Sequence, residues 1–352
     1  MTEFIIVGRG LAACTLMHVF TSTGVSFKVI GKENMSRCSQ VAGGIWNPVV
    51  FKRLTKSWMA DELVPCLTNF YNECESRLQT TFVTRRKIIK PFVEEQEKEL
   101  WRKKSKNELD DYLDPTIYDS DEGPANCKIE NGFGLVLGSG SIDMNAFLEA
   151  TSSFFRNEMV DEEFLYAKLK LIEGGVEYEG IKAKHLIFCE GYLVKNNPYF
   201  KWIPLKPAKG EVLKVKVNDL DLGHQILTKA AFIMGIKEGQ YRVGATYEWN
   251  ELNEEPTEKA RLDLETKLKG ILKTEYKVIG HEAGVRPSSC DRRPILGPHP
   301  LHPNLFIFNG LGTKGVMLAP YFAKNFVNFY LQKEALQATV HVSRFYHLYG
   351  RT

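Results

Sequence analysis

Short apolar runs and amphipathic stretches alternate along this chain, with glycine turns between several of them. Residues 4–7 form an apolar run that breaks into Gly8-Arg9-Gly10-Leu11-Ala12-Ala13. The pattern predicts a buried strand, a tight turn, a helix over 11–21 and a second strand over 27–30. Apolar residues at helical spacing predict a helix over 57–78. Ser141-Ile142-Asp143 reads as the cap of a helix over 144–155. Strands are expected at 165–172, 176–178 and 185–189, the last closed by Glu190-Gly191. Residues 209–217 alternate apolar and polar, as a half-exposed antiparallel strand does. Residues 231–236 and 241–245 predict a hairpin around Lys237-Glu238-Gly239, and 256–272 an amphipathic helix. Residues 306–308 repeat the opening theme, an apolar run that breaks into Asn309-Gly310-Leu311-Gly312-Thr313-Lys314-Gly315. The charged stretch 93–123, with Arg102-Lys103-Lys104, reads as a solvated helix and loop.

Bulk properties narrow the function classes. A chain of 352 residues buries a large core and usually divides into two domains. With 46 basic and 43 acidic residues the net charge is +3, which gives no case for a nucleic-acid or anionic-membrane partner. The seven cysteines form no CxxC pair and read as reduced thiols of a cytoplasmic protein. Cys189 is expected in the core and Cys290 in an exposed turn. Glu3 and the short first apolar run argue against a signal peptide, and no run approaches the ~20 apolar residues of a membrane span. His299 and His302 flank Pro300 without a third ligand at a sensible spacing, so no metal site is expected.

The first turn has the form of a dinucleotide-binding fingerprint. Gly8 allows the tight turn, Gly10 lets backbone approach a pyrophosphate, and Ala13 lets helix pack on strand. Further along come Ala283-Gly284-Val285-Arg286-Pro287, then Asp291-Arg292-Arg293-Pro294-Ile295-Leu296-Gly297, the second glycine turn, and Ala319-Pro320. With Lys209-Gly210-Glu211 and Val243-Gly244-Ala245-Thr246, this order resembles the D-amino-acid oxidase superfamily of FAD-dependent oxidoreductases, including glycine oxidase, sarcosine oxidase and D-amino-acid dehydrogenase. The likeness covers most of the chain and is weakest between about 82 and 131.

The resemblance implies an α/β fold: a Rossmann-like FAD-binding domain and a second α+β substrate domain built on an antiparallel sheet. The family's boundaries would assign 1–50, 135–195 and 285–345 to the first and 51–134 and 196–284 to the second. It implies FAD held at Gly8, Gly10, Leu11, Ala12 and Ala13, with Gly43, Gly44 and Gly191 beside it. Gly310, Gly312, Thr313, Lys314 and Gly315 would lie under the isoalloxazine, where helix N-terminal N–H groups favour negative charge. Arg286 would clamp a substrate carboxylate, with Tyr247 lining the pocket; Lys314, Arg53 and Lys56 are further anion binders. The alternative for Arg286 is a structural role, pairing with Asp291 or capping a loop. No general base stands out, since His185, His281 and Glu248 occupy positions where such residues are usually structural.

One departure matters. The acidic residue expected at the end of the second strand, ~20 residues beyond the glycines, is replaced by Gly31, followed by Lys32 and Glu33. Either Glu33 takes over the adenosine ribose, or water and backbone hold the hydroxyls, or the site no longer binds FAD well. The expected activity is oxidation of a C–N bond in a small amino acid or secondary amine, by hydride transfer to flavin N5. Its rivals are a flavin- or nucleotide-binding sensor or scaffold without catalysis, and an enzyme acting on an aminomethyl group of a modified tRNA base.

Overall fold

The computed structural model describes residues 1–33 and 38–350. Two large sheets organise it. The first runs in the order Ile295–Pro298, Leu305–Asn309, Ile181–Phe188, Thr2–Val7, Phe27–Ile30, Met159–Val160. Its central pairs are parallel, with Val7 opposite both Phe188 and Ile30. Gly175–Tyr178 and Leu169–Ile172 add an antiparallel flank. Residues 4–7 are buried because helices cover one face and an aromatic-rich cluster the other. Helix Leu11–Thr23 follows the first strand directly and ends where Gly24 adopts a left-handed conformation, its N–H closing on Phe20 and Thr21. It packs beside helix Gly315–Tyr330 on the same face. This is the Rossmann-like arrangement expected, and its crevice lies at the carboxyl ends of the parallel strands.

The second sheet runs Lys277–Arg286, Ala208–Lys216, Gln240–Gly244, Phe232–Lys237, Gln225–Thr228, Val83–Pro91, Phe133–Ile142, Ile45–Trp46. Neighbours are antiparallel except Gln225–Thr228 with Val83–Pro91. The hairpin turns at Gly239 with positive φ, as Lys237-Glu238-Gly239 predicts. Helix Glu258–Lys269 starts at Thr257, whose hydroxyl accepts from the Ala260 N–H. Helix Met144–Phe154 starts at Asp143, whose carboxylate accepts from Asn145 and Ala146 N–H.

Four expectations need correction. The strand over 209–217, expected half-exposed, is buried except at Lys214 and Lys216. The strand over 165–172 is half a 3-10 turn, Tyr166–Lys168, before strand Leu169–Ile172. The helix over 57–78 begins only at Ala60, because Ser57 is drawn out to the backbone carbonyl of Asn47. The charged stretch is not solvated throughout: Trp101, Leu109 and Leu113 are buried in their own core cluster. Trp101 lies flat where a Cβ on Gly134 would be, and its indole N–H reaches the Asp114 carbonyl at 2.8 Å.

Candidate functional site

A cleft of about 1030 Å³ runs from the carboxyl ends of the parallel strands to the second sheet. Gly8, Gly10, Leu11, Ala12, Glu33, Gly43, Gly44, Gly191, Tyr247, Arg286, Gly312, Thr313, Lys314 and Gly315 all line it. Two expected residues do not. Ala13 is fully buried on the inner face of helix Leu11–Thr23, where its small side chain serves packing. Gly310 lies behind the wall with φ +74°, against the Arg293 carbonyl. Of the secondary anion binders, Arg53 is exposed outside the cleft, and Lys56 is engaged with Asp61 at 2.8 Å.

At the nucleotide end, Gly8 has φ +114° and a Cβ there would lie 2.6 Å from the Cys189 carbonyl oxygen. Only glycine serves this turn. Helix Leu11–Thr23 starts at Gly10 with no side chain of its own as cap. The Ser39 hydroxyl accepts from Leu11 N–H at 3.1 Å. A helix start whose own cap is glycine, facing an open cleft with a serine hydroxyl beside it, fits a pyrophosphate. Gly44, at φ +65°, passes so close to Ile142 that a Cβ would sit 1.9 Å from its carbonyl oxygen. Glycine at both positions is thus required by contacts within the protein, and both line the cleft without a side chain. Glu33 is exposed on the rim, its backbone N–H donating to Asp161 at 2.9 Å.

Glu190 is a wall residue that sequence reasoning did not single out. It accepts from the Tyr166 hydroxyl at 2.6 Å and from Asn197 Nδ2 at 2.7 Å. Burial raises its pKa to about 7, against those two bonds. A carboxylate at the end of an apolar strand was the available signal. Next to it, Gly191 has φ +57°, and its carbonyl accepts from Asn309 Nδ2 at 2.8 Å, tying two strand ends together.

At the opposite end, Gly312–Lys314 forms a 3-10 turn into helix Gly315–Tyr330. Lys314 donates to the Ser57 hydroxyl. Burial, and then the Arg293 guanidinium, lower its pKa to about 8. Arg293 itself lies over the Trp58 ring at 3.9 Å.

Arg286 ends the strand Lys277–Arg286. Its Nη1 donates to the Thr246 carbonyl at 3.2 Å and the Lys209 carbonyl at 3.4 Å. The guanidinium stacks on Tyr247 at 4.5 Å and rests on Gly210, where a Cβ would meet it at 1.9 Å. Among the described residues no carboxylate forms an ion pair with it. Asp291 is instead bound to Arg344 at 2.9 Å, so Arg286 does not pair with it, while its two bonds to backbone carbonyls are those of a loop cap. Behind Arg286 lies a buried network. Lys209 Nζ donates to Asn253 at 2.7 Å, and Glu211 accepts from Thr257 and lies 2.9 Å from His281. His281 therefore braces the sheet rather than facing the cleft. Among the described residues no cluster of His, Cys, Asp or Glu is arranged for a metal, and no helix is long and apolar enough to cross a membrane.

Comparison with known proteins bears on the fold and the family. Glycine oxidase of Bacillus subtilis (strain 168) is 29% identical over 168 residues, 46% of this chain and 45% of that protein. The chain thus matches less than half the length of this curated relative. Iminodiacetate oxidase from Chelativorans sp. BNC1 superposes with a TM-score of 0.81 at 16% identity, over 96% of this chain and 98% of that one. Glycine oxidase from Bacillus cereus ATCC 14579 gives 0.79 at 16% identity, over 96% of both chains. At such identity the structures speak to fold. The family model described as FAD dependent oxidoreductase matches residues 3–328. Over nearly its whole length, then, this chain belongs to the FAD-dependent oxidoreductase family.

Proposed function

We propose that the protein oxidises the C–N bond of a small amino acid or secondary amine that carries a carboxylate. FAD, when bound, accepts the hydride; the chain's residues bind, orient and exclude water. Gly8, Gly10, Leu11 and Ala12 would hold the pyrophosphate, with Gly43, Gly44 and Gly191 along the middle. Gly312, Thr313, Lys314 and Gly315 would hold the ring end. On this reading the segments around 1–50, 135–195 and 285–345 serve the cofactor, and 51–134 and 196–284 the substrate.

The observation that carries the reading is Arg286. A guanidinium lines the cleft, fixed by two carbonyls and an aromatic ring, with no carboxylate partner among the described residues. Two neutral acceptors leave most of its donors available for a bidentate carboxylate contact. The product would be an imine that hydrolyses to a 2-oxo acid or aldehyde. The test is turnover of glycine, N-methylglycine and iminodiacetate beside amines of equal size without a carboxylate. Formation of a carbonyl product from the first group alone supports the proposal. Equal turnover of both groups overturns it.

A further inference from the structure

The position of the missing strand-end acid is filled rather than empty. Gly31 is buried at the end of Phe27–Ile30. A Cβ there would lie 2.8 Å from Arg9 Cγ and 3.2 Å from the Gly8 carbonyl carbon. The Arg9 stem thus occupies the space an acidic side chain would need. Its Nη1 donates to Asp161 at 2.7 Å and reaches the Gly31 carbonyl at 3.5 Å. Asp161 follows the strand Met159–Val160, which pairs in parallel with Val29 and Ile30, so it stands beside Gly31 one strand outward. The Gly31 N–H closes this register on the Val160 carbonyl at 3.2 Å. Arg9, Gly31 and Lys32 line the cleft, whereas Asp161 does not. The acid has moved out of the cleft, and it holds an arginine at the edge.

We propose that Arg9 is the residue that meets the adenosine ribose, with Asp161 as its positioning residue, and that this end therefore accepts a ribose bearing a 2′-phosphate. The inference rests on the cofactor reading above. A carboxylate at this place accepts from both ribose hydroxyls and repels a phosphate; an arginine donates to the oxygens and matches a phosphate through its fork. Lys32, Glu33 and Glu163 line the same end but are exposed, where solvent and salt screen them. If Glu33 were the ribose ligand, a 2′-phosphate would be rejected, so the two assignments give opposite results.

The experiment uses protein stripped of flavin. FAD binding is followed by quenching of flavin fluorescence, with adenosine 5′-monophosphate and adenosine 2′,5′-bisphosphate as competitors. The bisphosphate should displace FAD at a roughly tenfold lower concentration than the monophosphate, as one charged hydrogen bond implies. Added salt should narrow that ratio. Arg9→Gln should abolish the preference, and Asp161→Asn should weaken it. Arg9→Ala combined with Gly31→Glu should reverse it while FAD still binds, because removing Cγ of residue 9 gives the acid room. Equal or better competition by the monophosphate in the wild type would overturn the inference, as would an unchanged ratio in Arg9→Gln. Failure of the stripped protein to take up any FAD would overturn the cofactor reading and this inference with it. Uptake without preference overturns this inference alone.

Discussion

Replacing Gly210 by alanine should disable Arg286 without unfolding the protein. Gly210 sits mid-strand opposite Gly284, so its backbone needs no special conformation. Its added Cβ, however, would fall 1.9 Å from Arg286 Nη2 and 2.2 Å from Cζ. The guanidinium must shift by roughly 1.5 Å to regain ordinary contact distance. That shift breaks its bonds to the Thr246 and Lys209 carbonyls, at 3.2 and 3.4 Å, and lifts it from Tyr247. The colliding atoms are the far end of a flexible side chain, so the sheet stays intact. Misplacing a substrate-positioning group by about 1 Å costs on the order of 10²-fold in rate. Steady-state kcat/KM for a carboxylate-bearing amine should therefore fall about 100-fold, while flavin content and Tm stay near wild type. Activity within about threefold of wild type would refute the reasoning, because a loss near 3 kcal/mol is expected. So would an equal loss with a carboxylate-free amine.

Other perturbations probe the remaining links. Lys314 has its folded pKa lowered to about 8 from 10.5, so between these values the unfolded chain binds the extra proton and stability rises with pH. Urea midpoints of the flavin-free protein should rise across this window by an amount equivalent to on the order of 3 kcal/mol, and Lys314→Met should flatten the rise; an unchanged slope would count against the buried cation. Gly8→Ala, forced to φ +114° and towards the Cys189 carbonyl, should cost about 1–3 kcal/mol and leave the purified protein with little FAD, read from its absorbance. Trp101→Ala removes a fully buried ring and orphans the Asp114 carbonyl, so it should cost about 3–5 kcal/mol in chemical denaturation.

Local patterns made the two glycine turns legible. Residues 4–7 and 306–308 are unbroken apolar runs followed by glycines, and both became buried strands feeding helices around the cleft. The hairpin at Gly239 and the Asp143 cap were legible for the same reason: their causes lie within a few residues. What stayed hidden depended on distant partners. That Asp291 pairs with Arg344 and not with Arg286 is set by a residue more than fifty positions away. The filling of Gly31 by Arg9 depends on where Asp161 arrives, after a strand with no sequence signal of its own. Trp101, Leu109 and Leu113 vanished into a charged stretch because a few core residues do not change its composition. Tyr166 left the strand pattern because its hydroxyl is drawn to Glu190. In each case a tertiary contact overrode the local preference.

The most direct measurement is the visible spectrum of the freshly purified protein, followed by anaerobic titration with glycine, N-methylglycine and iminodiacetate. A yellow protein whose flavin absorbance bleaches with at least one of these, and not with carboxylate-free amines, is the expected result. A protein that takes up no FAD, or whose bound flavin none of them reduces, would contradict the central claim.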